Sequence, residues 1–165
     1  MIDFPSYMET SNELLIFFLD GYRYALHLPV VERVFPSVEI TPLPKGPEIV
    51  LGVVNVQGRI IPVVNIRRRF HLPEREVDPG DQLILAHTSR RPVALLADSV
   101  GGVVEWTGKD VVSAESLPPG VRYVEGVVKL EEGMVLIHDI DTFLSLDEEE
   151  SLGGAMKNMG NKDDL

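Results

Sequence analysis

Apolar residues in this chain come in short runs separated by turn signals about every 8–12 residues. Glu13–Leu19 (ELLIFFL) is compact enough for a buried strand, and Asp20-Gly21 marks a turn. In the next run Tyr22, Tyr24, Leu26 and Leu28 share one face, so the pair predicts a hairpin. Pro29–Phe35 predicts a helical turn running into a strand, and the proline-rich 41–47 segment a loop. Ile49–Phe70 is the longest apolar passage; it reads as two short strands around a turn, then a short helix. Pro62 lacks a donor, which places its strand at an edge or a bulge. Residues 60–66 are apolar on both faces except at Asn65, so that strand needs cover on both sides. Further strands are predicted at Gln82–His87, Pro92–Ala97, Val100–Trp106, Asp110–Ser113, Tyr123–Leu130 and Met134–Ile137, and a short helix at Ile140–Leu146. Such a string of short strands predicts an all-β barrel or sandwich.

The two halves resemble each other. Gly52-Val53-Val54 matches Gly126-Val127-Val128, and Asn65-Ile66 matches Asp139-Ile140, at an offset of 74. At an offset of 69, Leu14-Leu15 falls on Leu83-Ile84, Ala25-Leu26 on Ala94-Leu95, Val31 on Val100 and Val34 on Val103. Asn65 and Asp139 each follow an apolar strand and precede a helix-like segment, where the side chain can cap a free N–H. The repeat predicts two similar small barrels packed together, with residues 60–66 at their meeting point.

Composition narrows the function. The 165 residues suffice for one domain with a real core. A net charge of −11 argues against nucleic acid and against an anionic membrane surface. No cysteine is present, which removes disulfides, thiolate metal sites and a cysteine nucleophile. No run approaches the ~20 apolar residues of a membrane span, and a cytoplasmic protein is expected. Residues 1–11 read as a flexible tail, 12–147 as one module, and 148–165 as a flexible acidic tail.

Chemistry-bearing residues are few. His27 reads as exposed or satisfied by a partner, and His71 and His87 sit at element ends. His138, Asp139 and Asp141 form the best metal-like cluster, but Asp139 is also explained as a cap, and neighbours along a strand point to opposite faces. No nucleophile elbow or phosphate loop occurs. Arg67-Arg68-Arg69 is the one basic cluster: either a solvated helix face or a contact for an acidic partner. A duplicated all-β module without a catalytic constellation or an implied cofactor is most simply a binding module.

LGVVNVQGRIIPVVNIRRRF resembles the signature of the CheW family, roughly GxxNLRGxxxPVxDLRxxL, through Gly52, Asn55, Gly58, Pro62, Val63, Ile66 and Arg67. The opening ELLIFFLDGYRYALHLPVVERV, the TPLPKGP loop, LLADSVGGVVEW and EGVVKLEEGMVLIHDIDTFL are similar to the rest of the family's body. The resemblance implies two similar five-stranded SH3-like barrels around a shared core, with short helices and no catalytic activity. It further implies a cytoplasmic adaptor, recruited to receptor arrays, that couples the cytoplasmic tips of methyl-accepting chemoreceptors to the regulatory domain of the histidine kinase CheA. Val31, Gly52, Asn55, Gln57, Gly58, Arg59 and Val100 are the partner-binding positions it suggests, with Arg67, Arg68 and Arg69 as a patch for an acidic partner. Two positions depart from the signature. Gln57 stands where the family's Arg is usual, and Asn65 where its Asp is. Asn caps nearly as well, whereas Gln is neutral and shorter than Arg. The competing reading is a small β-barrel enzyme or metal- or ligand-binding protein using His138, Asp139 and Asp141. A CheV-like adaptor is weaker, because the 19 residues after Leu146 are too few for a receiver domain.

Overall fold

The structure is a computed structural model, and it describes residues 13–107, 111–112, 124–131 and 133–163. The expected 1–11 tail and the 117–120 loop lie outside the described residues. Strands β1 (Glu13–Leu19) and β2 (Tyr22–His27) form the first hairpin. Asp20 and Gly21 turn it with φ of 52° and 80°. A 3-10 turn, Leu28–Val30, carries Pro29 at its second position and runs directly into β3 (Val31–Pro36). The long apolar passage gives β4 (Val50–Val56), β5 (Arg59–Val64) and the one-turn helix α1 (Ile66–Arg69). The second half follows as β6 (Gln82–His87), β7 (Pro92–Ala97), β8 (Ser99–Glu105), β9 (Val111–Val112), β10 (Val124–Leu130) and β11 (Gly133–His138).

Asn65 caps α1 by accepting the Arg68 N–H at 3.2 Å. Asp139 does the same for a second 3-10 turn, Ile140–Thr142, accepting the Asp141 N–H at 3.0 Å. That turn replaces the longer helix expected over 140–146. The helix starts instead at Leu146 and continues as α2 to Asp163, so most of the stretch expected to form a solvated tail is helical, and part of it is packed. Leu152 is fully buried and Ala155 nearly so.

One sheet has the order β8-β1-β2-β11-β10-β9 and the other β3-β6-β7-β5-β4. Within each, one parallel pairing joins the halves of the chain: β2 with β11 and β5 with β7. The strands that look alike in sequence occupy equivalent places, but the barrels are not the sequence halves. The first takes β1 and β2 from the N-terminal half and β8 to β11 from the C-terminal half. The second takes β3, β4 and β5 from the first half and β6 and β7 from the second.

Each barrel has its own core. Leu14, Ile16, Ala25, Val128, Val135 and Ile137 fill the first; Val54, Ile61, Val63, Leu83, Leu85 and Ala94 belong to the second. Between them lies a third core that uses the other faces of the same strands. Leu15, Phe17, Leu19, Tyr24 and Leu26 meet Val64, Ile66, Ile84, Ala86 and Leu95 there, with Ile140 and Phe143 beside them. This is why residues 60–66 are apolar on both faces: Ile61 and Val63 serve one core, Val64 and Ile66 the other. Burial in the shared core pushes the Tyr24 phenol up to about 12, with smaller contributions from Tyr22 and Asp20.

Pro62 is a correction. Its strand is neither an edge nor bulged at the proline; β5 lies between β7 and β4. Pro62 faces Val53 across the ladder, and Val53 uses both its main-chain N–H and C=O on Thr41, on the opposite side. Pairing with β7 is confined to Val63 and Val64. The missing N–H therefore falls where no ladder bond is required.

Candidate partner-binding surface

The β4–β5 hairpin ends in a tight two-residue turn. Gln57 and Gly58 have φ of 51° and 86°, the left-handed pair that matches strand twist in such turns. Gly58 donates its N–H to Asn55 Oδ1 at 2.8 Å, so Asn55 holds the turn closed. Asn55, Gln57, Gly58 and Arg59 are all exposed. Arg59 Nη2 reaches Glu32 Oε2 at 2.5 Å, and His87 Nε2 stands 2.7 Å from Glu32 Oε1. Because β3 and β5 are not neighbours in the sheet, this trio ties the end of the hairpin to an edge strand. Hydrogen bonds from Arg59 and then His87 hold the Glu32 carboxyl below the usual carboxylate range. Glu32 and His87 were not singled out from the sequence, where 27 and 55 residues separate the bonded pairs.

Val31 opens β3 beside Glu32, half-buried against the shared core. Val100, its counterpart in the repeat, lies half-buried on β8 of the other barrel, also against that core, and donates its N–H to Gln82 Oε1 at 2.8 Å. The geometry thus joins Val31 to Asn55, Gln57, Gly58 and Arg59 through Glu32, and places Val100 on the adjoining barrel.

Gly52 does not belong on that surface. It is buried, and a Cβ there would lie 2.3 Å from the Thr41 main-chain oxygen. The chain at Thr41 crosses against β4, exchanging hydrogen bonds of 2.9 and 2.8 Å with Val53. Its role is to admit that close approach.

The arginine run is also corrected. Arg67 is buried, with side-chain bonds to Asp98 at 2.7 and 2.8 Å, to Asp20 at 2.7 Å and to the Pro73 carbonyl at 2.8 Å. Arg75 joins the same network through Asp81 and Asp98, both at 2.6 Å. Burial pushes the Asp98 carboxyl up, but Arg67, the Asp20 N–H and Arg75 outweigh it and hold the group below its ordinary value. Arg68 is engaged by Glu74 and Glu48 at 3.2 and 3.3 Å, and Arg69 by Glu148. Each arginine has a carboxylate of its own chain, which leaves no open basic patch at this helix.

His138, Asp139 and Asp141 border one cleft of about 320 Å³ with His27, Val30 and His87. Their polar groups do not converge on it as ligands. The His138 ring is stacked on Phe70 at 4.3 Å, Asp139 caps the 3-10 turn, and Asp141 Oδ1 accepts the Ser89 N–H at 2.6 Å. His27, expected to be exposed or satisfied, is buried at the end of β2. Among the described residues no group of three His, Cys, Asp or Glu is placed to hold a metal ion, and no helix is long and apolar enough to cross a membrane.

The CheW-like domain model matches residues 13–148. The chain belongs to the CheW-like domain family. It is 31% identical over 132 residues to the chemotaxis protein CheW of Thermotoga maritima, covering 80% of this chain and 87% of that one. With the chemotaxis protein CheW of Treponema pallidum it shares 25% identity over 146 residues, 85% and 86% of the two chains. The crystal structure of the scaffolding protein TtCheW from Thermoanaerobacter tengcongensis superposes with a TM-score of 0.75 at 24% identity, over 84% of this chain and 95% of that one. The fold is therefore that of CheW, two SH3-like barrels, and the chain is a scaffold of chemosensory signalling, not an enzyme. Most CheW signature residues here build the hairpin: Gly52 admits Thr41, Asn55 and Gly58 close the turn, and Arg67 anchors α1. Gln57, the departure from the CheW pattern, is a residue the turn leaves in solvent.

Proposed function

We propose that this CheW-like chain couples the cytoplasmic tips of chemoreceptors to the regulatory domain of a CheA-type histidine kinase. The match over residues 13–148 carries the reading, because it spans both barrels and their shared core. A cytoplasmic location at membrane-associated receptor arrays belongs to the same proposal. The contact face centres on Val31, Asn55, Gln57, Gly58 and Arg59, with Val100 on the adjoining barrel. The Glu32 trio keeps this face in register, so a partner meets a preformed surface. Gln57 removes a charge that the family's usual Arg would supply, which changes steering and partner choice more than the fold.

Titration of the purified full chain against the cognate kinase regulatory domain tests the reading. Saturable binding is expected at tens of micromolar or tighter. Its absence at that concentration would overturn the kinase half of the proposal. Gln57→Arg is expected to change affinity for one partner by about tenfold without altering thermal stability.

A further inference from the structure

Helix α2 lies almost wholly beyond the residues that match the family, and the receptor–kinase reading assigns it nothing. Its first turn is built to start a helix. Ser145 donates its N–H to Glu148 Oε1 at 2.8 Å, and Glu148 returns its N–H to Ser145 Oγ at 3.1 Å. The middle is built otherwise: Gly153-Gly154 is the least helix-favouring pair short of proline, so α2 owes its form to what it rests on.

That support is a cradle on the second barrel and its flanks. Arg69 of α1 holds Glu148, and Arg91, in the turn between β6 and β7, holds the buried Glu149 at 2.5 Å. Arg91 also reaches Met156 Sδ at 3.4 Å, and a Cβ on Gly153 would come within 3.3 Å of its guanidinium. Further along, Ala155 and Met159 face Pro44 and Lys45 across an open space of about 350 Å³. Two arginines thus grip the acidic start of the helix, and Leu152 and Ala155 are buried beyond it.

We propose that α2 is a releasable strap, and that the cradle beneath it is a docking site for an acidic amphipathic helix of a partner protein. Charge complementarity names the occupant: adjacent glutamates for Arg69 and Arg91, followed by a buried apolar side chain three or four residues on. In the isolated chain α2 fills the site in cis. A stronger partner helix displaces it.

Hydrogen exchange on the full chain tests the release. The α2 amides are expected to exchange at least about 100-fold faster than those of β6 and β7, and faster still in high salt. Docking is tested with a fluorescent peptide copy of residues 146–163 titrated into full-length Leu152→Asp, whose strap is detached, and into the unmodified chain. The expected result is micromolar binding to the variant, weakened at high salt, with no binding by the unmodified chain or by a scrambled peptide. Protection of the β6 and β7 amides reports that the variant is folded; if it is not, Glu148→Lys/Glu149→Lys in the full chain replaces it. Three results would overturn the proposal: α2 amides as protected as the barrels, no peptide binding by a folded, detached variant, or release that occurs only by reciprocal exchange in a dimer seen by light scattering.

Discussion

Gly52 and Gln57 stand five residues apart in one hairpin and answer to different demands. At Gly52 the demand is space. Gly52→Ala sets a methyl against a main-chain oxygen that cannot swing away, and the expected loss is about 3 kcal/mol in denaturant titration. Gly52→Asp should lose more. An unchanged midpoint would mean that the chain at Thr41 gives way freely. At Gln57 the demand is conformation: φ is 51°, a region that asparagine and glycine enter more readily than glutamine. Gln57→Asn recreates the Asn-Gly turn favoured in two-residue hairpins and is expected to gain about 0.5–1 kcal/mol. A loss of stability would show that the glutamine side chain itself holds the turn.

Among the elements, α1 and the loops around it depend on one charge network. Arg67→Ala leaves Asp20 without its cation and Asp98 with Arg75 alone, at an expected cost of about 3 kcal/mol. Adding Asp98→Ala should cost less than the two changes sum to separately. The pH dependence follows from the same contacts. The Asp98 pKa is lower folded than unfolded, so its contribution is present above the ordinary aspartate value near ~3.9 and is lost as pH falls through the folded value. Asp98→Asn should flatten the acid limb of a stability-against-pH curve and leave its slope at neutral pH unchanged. The hairpins, the turn before β3 and both caps were legible in the sequence because each is written locally, by alternation, by Pro29, or by Asn65 and Asp139. Partnerships were less legible: the repeat shows that Val31 resembles Val100, but not that β3 pairs with β6. For α2 the local signals conflicted. Acids and two glycines spoke for a tail, while Ser145 with Glu148, and Leu152, Ala155, Met156 and Met159 at helical spacing, spoke for a docked helix. The site was half legible: the signature located the hairpin, but nothing adjacent in sequence pointed to Glu32 or His87.

For the whole molecule, the third core makes two barrels one cooperative unit. Phe17 is fully buried between them. Phe17→Ala should lower stability by about 3–5 kcal/mol and reduce hydrogen-exchange protection in β6 and β7 as much as in β2 and β11. Protection lost from the first barrel alone would show that the barrels unfold separately. Thermal melting of the unmodified chain is expected as a single transition.

The strand order has a consequence for how the chain is made. All five strands of the second barrel lie in one uninterrupted stretch, from Val31 to Ala97, whereas the first is split around it. On the ribosome, the inner barrel can close once Ala97 has emerged. The β1–β2 hairpin, synthesised earlier, must wait for β8 through β11 before it has partners on both sides. The β1–β2 hairpin, made before the inner barrel, is therefore among the last parts to be enclosed. Until then the apolar face of β1 lies open to whatever meets it, including a chaperone or the emerging inner barrel against which it is destined to pack.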